Sequence, residues 1–180
     1  MTRSQLARLG LLIVPLGVIS FLLHETGHYL AGRAFGLEMY LQLNSAGPVD
    51  RTLEVSWLAR FAILAGGPAV TLVQGVLGYM IARRMPVLGV ALIYFAFYMR
   101  MLAFGISVLV NPNDEANLGE MLGVGIYPVH LAVCALLGVL TVLAMNRAGA
   151  GWGAWLTGFV ASGIAVTLVV FGEPLLGRIL

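Results

Sequence analysis

Two histidines and a glutamate lie close together near the start of the chain, in the sequence His-Glu-Thr-Gly-His at residues 24–28. Residues four apart lie on one face of a helix, so His24 and His28 can bind the same metal ion. Such a pattern is typical of catalytic zinc sites, in which the intervening glutamate accepts a proton from water. We therefore predict a helix that presents two Zn²⁺ ligands and, in Glu25, a general base.

The motif follows a long apolar stretch, because residues 9–23 contain no charged side chain. The whole chain of 180 residues is 60% hydrophobic and only 10% charged, with a mean hydropathy of +0.96. These values are typical of a bundle of membrane helices rather than of a soluble domain. Ionisable side chains inside a membrane are costly and rarely occur without a function. The sequence therefore predicts a metal site embedded in a membrane.

The remaining composition excludes several other classes of protein. All ten basic residues are arginine, and the net charge of +2 is too small and too dispersed to indicate nucleic-acid binding. The single cysteine, Cys134, excludes an intrachain disulfide and is expected to be a small buried hydrophobic residue. We expect the first apolar stretch to be a retained membrane span, because cleavage after it would remove the histidine pair.

Hydropathy and turn residues predict an all-α polytopic membrane protein of one domain, residues 1–180, with a small β-hairpin at the membrane edge. Period-two alternation over residues 38–56 indicates the hairpin, with its turn at residues 45–48. A short helix is expected at residues 115–121. The five predicted spans cover residues 6–35, 57–84, 86–110, 127–145 and 152–171, with Gly66-Gly67-Pro68 interrupting the second.

A catalytic zinc ion usually has three protein ligands, so a third ligand is needed beside the two histidines. Asp114 is the best candidate, because it follows a helix-breaking Asn-Pro at the end of the third predicted span. From spacing alone, Asp114 is equally well explained as the N-cap of the short helix. The other candidates are Asp50, Glu54, Glu115, Glu120, Glu173 and His130.

Two further polar residues fall in or beside the apolar segments. Arg100 lies within the third predicted span and requires either an acidic partner or a path for its side chain to the interface. His130 begins the fourth long helix and is expected to be an interfacial residue rather than a ligand.

Together these residues resemble the site-2 proteases, a family of intramembrane zinc metalloproteases, and in particular their short bacterial relatives. The resemblance covers residues 9–122 and leaves the two helices within residues 126–171 outside it. It rests on the histidine motif, on Gly67-Pro68 in the second span, and on Asn-Pro-Asn-Asp at residues 111–114. The resemblance implies that Asp114 is the third zinc ligand. It also implies a substrate-binding set of Gly67, Pro68, Thr71 and Asn111.

The resemblance further implies a multi-pass protein of the bacterial cytoplasmic membrane. Its partners would be the lipid bilayer and membrane-protein substrates, which it would cleave in regulated intramembrane proteolysis. The hairpin would hold the unwound substrate by strand addition. Two residues depart from the family pattern: Glu115 replaces a glycine, and Thr71 replaces an asparagine. The first departure leaves open whether Asp114 or Glu115 binds the metal.

Two alternative functions remain open at this point. A catalytically silent, metal-binding relative could act as a subunit, scaffold or chaperone of a membrane complex, or as part of an oligomer. A transporter could use buried histidine and carboxylate side chains for ion passage. The intact Glu25 favours the protease over a structural zinc protein, and the sequence has no inverted repeats that would favour a transporter.

Overall fold

Six α-helices and one two-stranded sheet make up the fold in a computed structural model that describes residues 1–180. Five of the helices are long and apolar enough to cross a membrane. The predicted class, an all-α polytopic membrane protein, is therefore confirmed. The elements are α1 (Arg3–Ala34), β1 (Met39–Leu41), β2 (Ala46–Pro48), α2 (Trp57–Ile81), α3 (Pro86–Leu109), α4 (Asp114–Met121), α5 (Pro128–Arg147) and α6 (Trp152–Leu176).

The second span differs from the prediction because it is not interrupted. Helix α2 continues through Gly66, Gly67 and Pro68 as a single helix of 25 residues. Pro68 has no N–H to donate to the carbonyl of Leu64, but one missing hydrogen bond does not break a helix that packs against neighbours on several sides. The predicted break was therefore wrong.

The hairpin is smaller than predicted, and its turn lies earlier. The strands pair in antiparallel register from Met39 with Pro48 to Leu41 with Ala46. The turn is closed by Gln42, whose N–H donates to the carbonyl of Ser45 at 2.8 Å. The predictions of a turn at residues 45–48 and of a strand after it were therefore wrong.

Residues 49–56 do not form a strand, because a local side-chain bond competes with strand pairing. The carboxylate of Asp50 accepts hydrogen bonds from the N–H of Thr52 at 2.9 Å and from its hydroxyl at 2.7 Å. Donation by the hydroxyl and by the N–H of Thr52 lowers the pKa of the exposed Asp50 carboxyl below its ordinary value.

Helices α1, α2 and α3 form the centre of the bundle, and α5 and α6 pack at its sides. Leu9, Ile13, Val90, Ile93 and Phe95 are fully buried in the core. The outward faces of α5 and α6 carry many exposed apolar side chains. Such faces are expected where helices contact the bilayer.

Helices α1 and α2 touch backbone to backbone at the histidine motif. A Cβ atom added to Gly27 would collide with the carbonyl of Gly66, and one added to Gly66 would collide with the carbonyl of Gly27. Small residues at such a crossing let membrane helices approach closely. This close approach holds the histidine-bearing face of α1 directly against α2.

Candidate metal centre

The two histidines of α1 converge as their spacing predicts. His24 and His28 are buried, and their Nε2 atoms lie 3.1 Å apart. The two rings stand nearly perpendicular, at 85°, with their centroids 4.7 Å apart. One helix face therefore directs two nitrogen atoms at a single point.

Asp114 supplies the third donor atom from another element. Its Oδ2 atom lies 3.2 Å from Nε2 of His24 and 3.3 Å from Nε2 of His28. The ligand atoms of a tetrahedral zinc site, with bonds of about 2.0–2.1 Å, lie about 3.3 Å from one another. His24, His28 and Asp114 therefore form a group that can hold a metal ion.

Hydrogen bonds on the far side of each ring orient both histidines. Nδ1 of His28 lies 2.6 Å from the carbonyl of Ile63, which can only accept, so this nitrogen carries the proton. The hydroxyl of Thr71 donates to the carbonyl of Gly67 at 3.3 Å, so its oxygen accepts from Nδ1 of His24 at 3.0 Å. Fixing the outer nitrogen in this way is typical of metal-binding histidines.

When the two rings are neutral, these bonds leave their Nε2 atoms with lone pairs that face Oδ2 of Asp114. Three electron-rich atoms about 3.1–3.3 Å apart repel one another unless a cation or a proton lies between them. The donor set is thus well suited to a bound cation, and the metal fits the residues present.

Asp114 does not cap the helix that it begins. It is the first residue of α4, whose N-cap is Asn113, so the N-cap alternative was wrong. Asn113 anchors this corner of the chain, because its Nδ2 donates to the carbonyl of Ala103 at 2.9 Å and its Oδ1 accepts from the hydroxyl of Ser107 at 2.5 Å. The residue before the ligand is therefore fixed to α3.

The metal-binding atoms open onto a cavity of about 390 Å³. Glu25, whose side chain is largely buried, lines this cavity together with the three ligands. The hairpin contributes Asn44, Ser45 and Ala46 to the wall, and α6 contributes Val166 and Val170. The carboxylate of Glu25, the three candidate ligands and part of the hairpin thus line one cavity.

The four residues of the predicted substrate-binding set do not line this cavity. Gly67 lies against the imidazoles, since a Cβ atom there would collide with His28 Nε2 and with His24. Thr71 holds His24, Pro68 is buried in α2, and Asn111 is exposed after α3. Gly67 and Thr71 therefore place the ligands, and substrate contact by the four residues stays a prediction.

The other candidate ligands lie apart from the metal centre. Asp50, Glu54 and Glu120 are exposed, and Glu173 accepts a hydrogen bond from Ser45 at 2.9 Å. Glu115 is fully buried and faces Arg100 rather than His24 and His28. The geometry therefore selects Asp114 over Glu115 as the third ligand.

The fourth long helix brings another departure from the predictions. His130 is fully buried, so its predicted interfacial position was wrong. Its Nε2 lies 2.9 Å from the hydroxyl oxygen of Ser107. The acidic partner that Arg100 required is Glu115, at 2.9 Å.

No family model matches the chain, and no curated protein or solved structure shows significant similarity to it.

We expect Asp114→Ala to abolish stoichiometric metal binding, because it removes one of three ligands. Metal content of protein purified after loading with Zn²⁺ should be about one ion per chain in the wild type and near zero in the variant. Asp50→Ala is the matched control, since Asp50 is the only other aspartate and is exposed. Full metal content in Asp114→Ala would contradict the three-ligand site.

Thr71→Val should weaken metal binding about 10- to 100-fold, because Nδ1 of His24 loses its acceptor. Competition with a chelator of known affinity measures this change. Thr167→Val on α6 is the control, since the Thr167 hydroxyl also donates to a carbonyl one turn earlier, that of Gly163 at 2.9 Å. Equal affinities in the two variants would show that Thr71 does not position His24.

Proposed function

We propose that the protein is an intramembrane zinc metalloprotease that hydrolyses peptide bonds in or near the transmembrane segments of other membrane proteins. One observation carries this proposal: Glu25 lines the same cavity as the convergent ligands His24, His28 and Asp114. Three ligands with an adjacent carboxylate are the parts that metal-assisted hydrolysis needs.

The chemistry of the donor set supports zinc. Two neutral imidazoles and one carboxylate match the ligand types of catalytic zinc sites, in which a fourth position stays open. A zinc ion bound there would supply Lewis-acid chemistry, lowering the pKa of water and polarising a peptide carbonyl. His24 and His28 would hold it through Nε2, and Asp114 through Oδ2.

Glu25 would carry the proton. It would accept a proton from water as the water oxygen attacks the carbonyl carbon of the substrate. It would then give this proton to the departing amine as the C–N bond breaks. Its side chain is largely buried and lines the cavity, so the carboxylate and the peptide would react beside the three ligands.

The substrate would bind as an extended segment. A peptide bond within a helix is shielded by backbone hydrogen bonds, so a transmembrane substrate must unwind locally before it is cleaved. The turn after β1 forms part of the cavity wall through Asn44 and Ser45. The backbone groups of Leu41 at the outer edge of β1 are bonded to Ile179 and Leu180. An unwound substrate segment could bind to the same groups by strand addition if it displaced these two residues.

The alternative is a catalytically silent, metal-binding subunit, scaffold or chaperone of a membrane complex. One observation favours it: the Thr71 hydroxyl is engaged by His24 and by the carbonyl of Gly67. It is therefore not free to bind a substrate carbonyl. A metal-loaded protein that cleaves no membrane substrate would support this alternative.

Glu25→Gln should lower the rate of peptide cleavage by about 10²- to 10⁴-fold, because an amide cannot accept the proton from water. Metal content should stay at the wild-type level, since Glu25 is not a ligand. The assay uses purified protein in proteoliposomes with a panel of single-span membrane proteins. Undiminished cleavage would contradict the proposed role, and Glu38→Gln, which changes an exposed glutamate, is the control.

A further inference from the structure

A second buried polar cluster lies beside the metal centre. It consists of Arg100 on α3, Glu115 on α4 and His130 on α5, which are 3%, 0% and 0% exposed. Nη1 of Arg100 donates to Oε1 of Glu115 at 2.9 Å, and Nδ1 of His130 lies 3.6 Å from Oε2 of Glu115. Residues of α3, α4 and α5 therefore meet at the carboxylate of Glu115, the residue that follows Asp114.

Arg100 is close to both acids. Its Nη1 lies 3.9 Å from Oδ2 of Asp114, the same oxygen that faces the two histidines. A guanidinium group binds carboxylates strongly, and an unpaired cation in a membrane span is very unfavourable. Without Glu115, Asp114 would be the nearest acid to Arg100. The guanidinium and a metal ion would then compete for one oxygen atom.

His130, which lies beside Glu115, is itself held by Ser107. The hydroxyl of Ser107 donates to Asn113, so its oxygen accepts the Nε2 proton of His130. The chain is thus anchored on both sides of Asp114. Before it, Asn113 is hydrogen-bonded to Ser107, and after it, Glu115 is hydrogen-bonded to Arg100.

We propose that Glu115 is a positioning residue for the metal site. It binds Arg100 and so keeps the guanidinium away from Asp114, which leaves Oδ2 of Asp114 free to bind the metal. The glutamate in the place of the glycine of site-2 proteases would then be a partner that Arg100 requires, rather than a fourth ligand.

A double-mutant cycle tests this proposal, with the affinity for Co²⁺ or Zn²⁺ as the readout. Glu115→Gln should weaken metal binding by about tenfold or more, because Arg100 turns to Asp114. Arg100→Met should bind metal at least as tightly as the wild type. The double variant should recover the affinity of Arg100→Met, since the competing cation is gone. Glu120→Gln, an exposed change on the same short helix, should have no effect.

A purely structural role for Glu115 would give a different pattern. Glu115→Gln would then lower the thermal stability of the metal-free protein while the folded fraction kept wild-type affinity, and this result would overturn the proposal. An affinity loss that persists in the double variant would also overturn it. If Glu115→Gln does not fold, the metal affinity of Arg100→Met is compared with that of the wild type. Weaker binding overturns the proposal, and equal or tighter binding supports it.

A second inference rests on different contacts, those between residues 173–180 and the hairpin. The N–H of Leu41 donates to the carbonyl of Leu180 at 3.1 Å, and the carbonyl of Leu41 accepts from the N–H of Ile179 at 2.8 Å. Glu173 accepts from Ser45 at 2.9 Å, and the Arg178 guanidinium lies 5.4 Å from the centre of the Tyr40 ring. These residues therefore cover the outer edge of β1.

The covered groups are the ones that an incoming peptide would use. Gln42 pairs with Ser45 on the β2 side, and Tyr40 lies opposite Gly47, so the backbone groups of Leu41 point to the open edge. We infer that residues 177–180 occupy the place of an extended substrate segment and leave it when substrate binds. This inference rests on the proposed protease function for its biological meaning.

Binding of a fluorescent peptide with the sequence of residues 175–180, Leu-Leu-Gly-Arg-Ile-Leu, tests the inference without catalysis. Ile179→Pro removes the shorter of the two N–H bonds to the carbonyl of Leu41, and Ile179→Ala keeps it. In fluorescence anisotropy, Ile179→Pro should bind the peptide about three- to tenfold more tightly than the wild type, and Ile179→Ala should not. Equal affinities in all three proteins would overturn the inference. Tighter peptide binding without any cleavage of membrane substrates would support it while counting against the protease.

Discussion

Hydrocarbon cannot solvate charge or donate a hydrogen bond, so each polar group placed in this bundle must be satisfied by the protein itself. The metal centre follows from this constraint. Nδ1 of His28 donates a hydrogen bond to the carbonyl of Ile63, and Nδ1 of His24 donates one to the hydroxyl oxygen of Thr71. Once those protons are placed, the remaining lone pairs converge with Asp114 and need a cation or a proton between them. The bonding around the site thus determines what the site can bind.

The short helix α4 serves two charged clusters at once. Successive residues on a helix point about 100° apart, so neighbouring carboxylates face different partners. Asp114 faces α1 and its histidines, and Glu115 faces Arg100 on α3 and His130 on α5. The candidate metal ligand Asp114 and the counter-ion of Arg100 are therefore joined by one peptide bond, which couples the position of one to the position of the other.

Hydropathy and spacing were sufficient to predict the features that depend on local sequence. The five spans and the convergence of His24 and His28 follow from apolar runs and helical periodicity. The continuity of α2 through Pro68 and the full burial of His130 depend on neighbouring helices, which no local pattern records. The pairing of Arg100 with Glu115 did carry a signal. A lone cation in an apolar segment required either an acidic partner or a path to the interface, and Glu115 adds a further acid beside the site.

Glu25 is the residue that favours a protease over a catalytically silent relative. The other buried charged side chains have partners: Arg100 is paired with Glu115, and the histidines are oriented by α2. Glu25 lines the same cavity as the histidines, but its carboxyl group has no hydrogen-bond or ion-pair partner and stays available. Keeping an ionisable group mostly buried in a membrane bundle is unfavourable, and a metal site that serves only structure has no need of it. Proton transfer to and from a reacting group gives this carboxyl a function that would justify its cost.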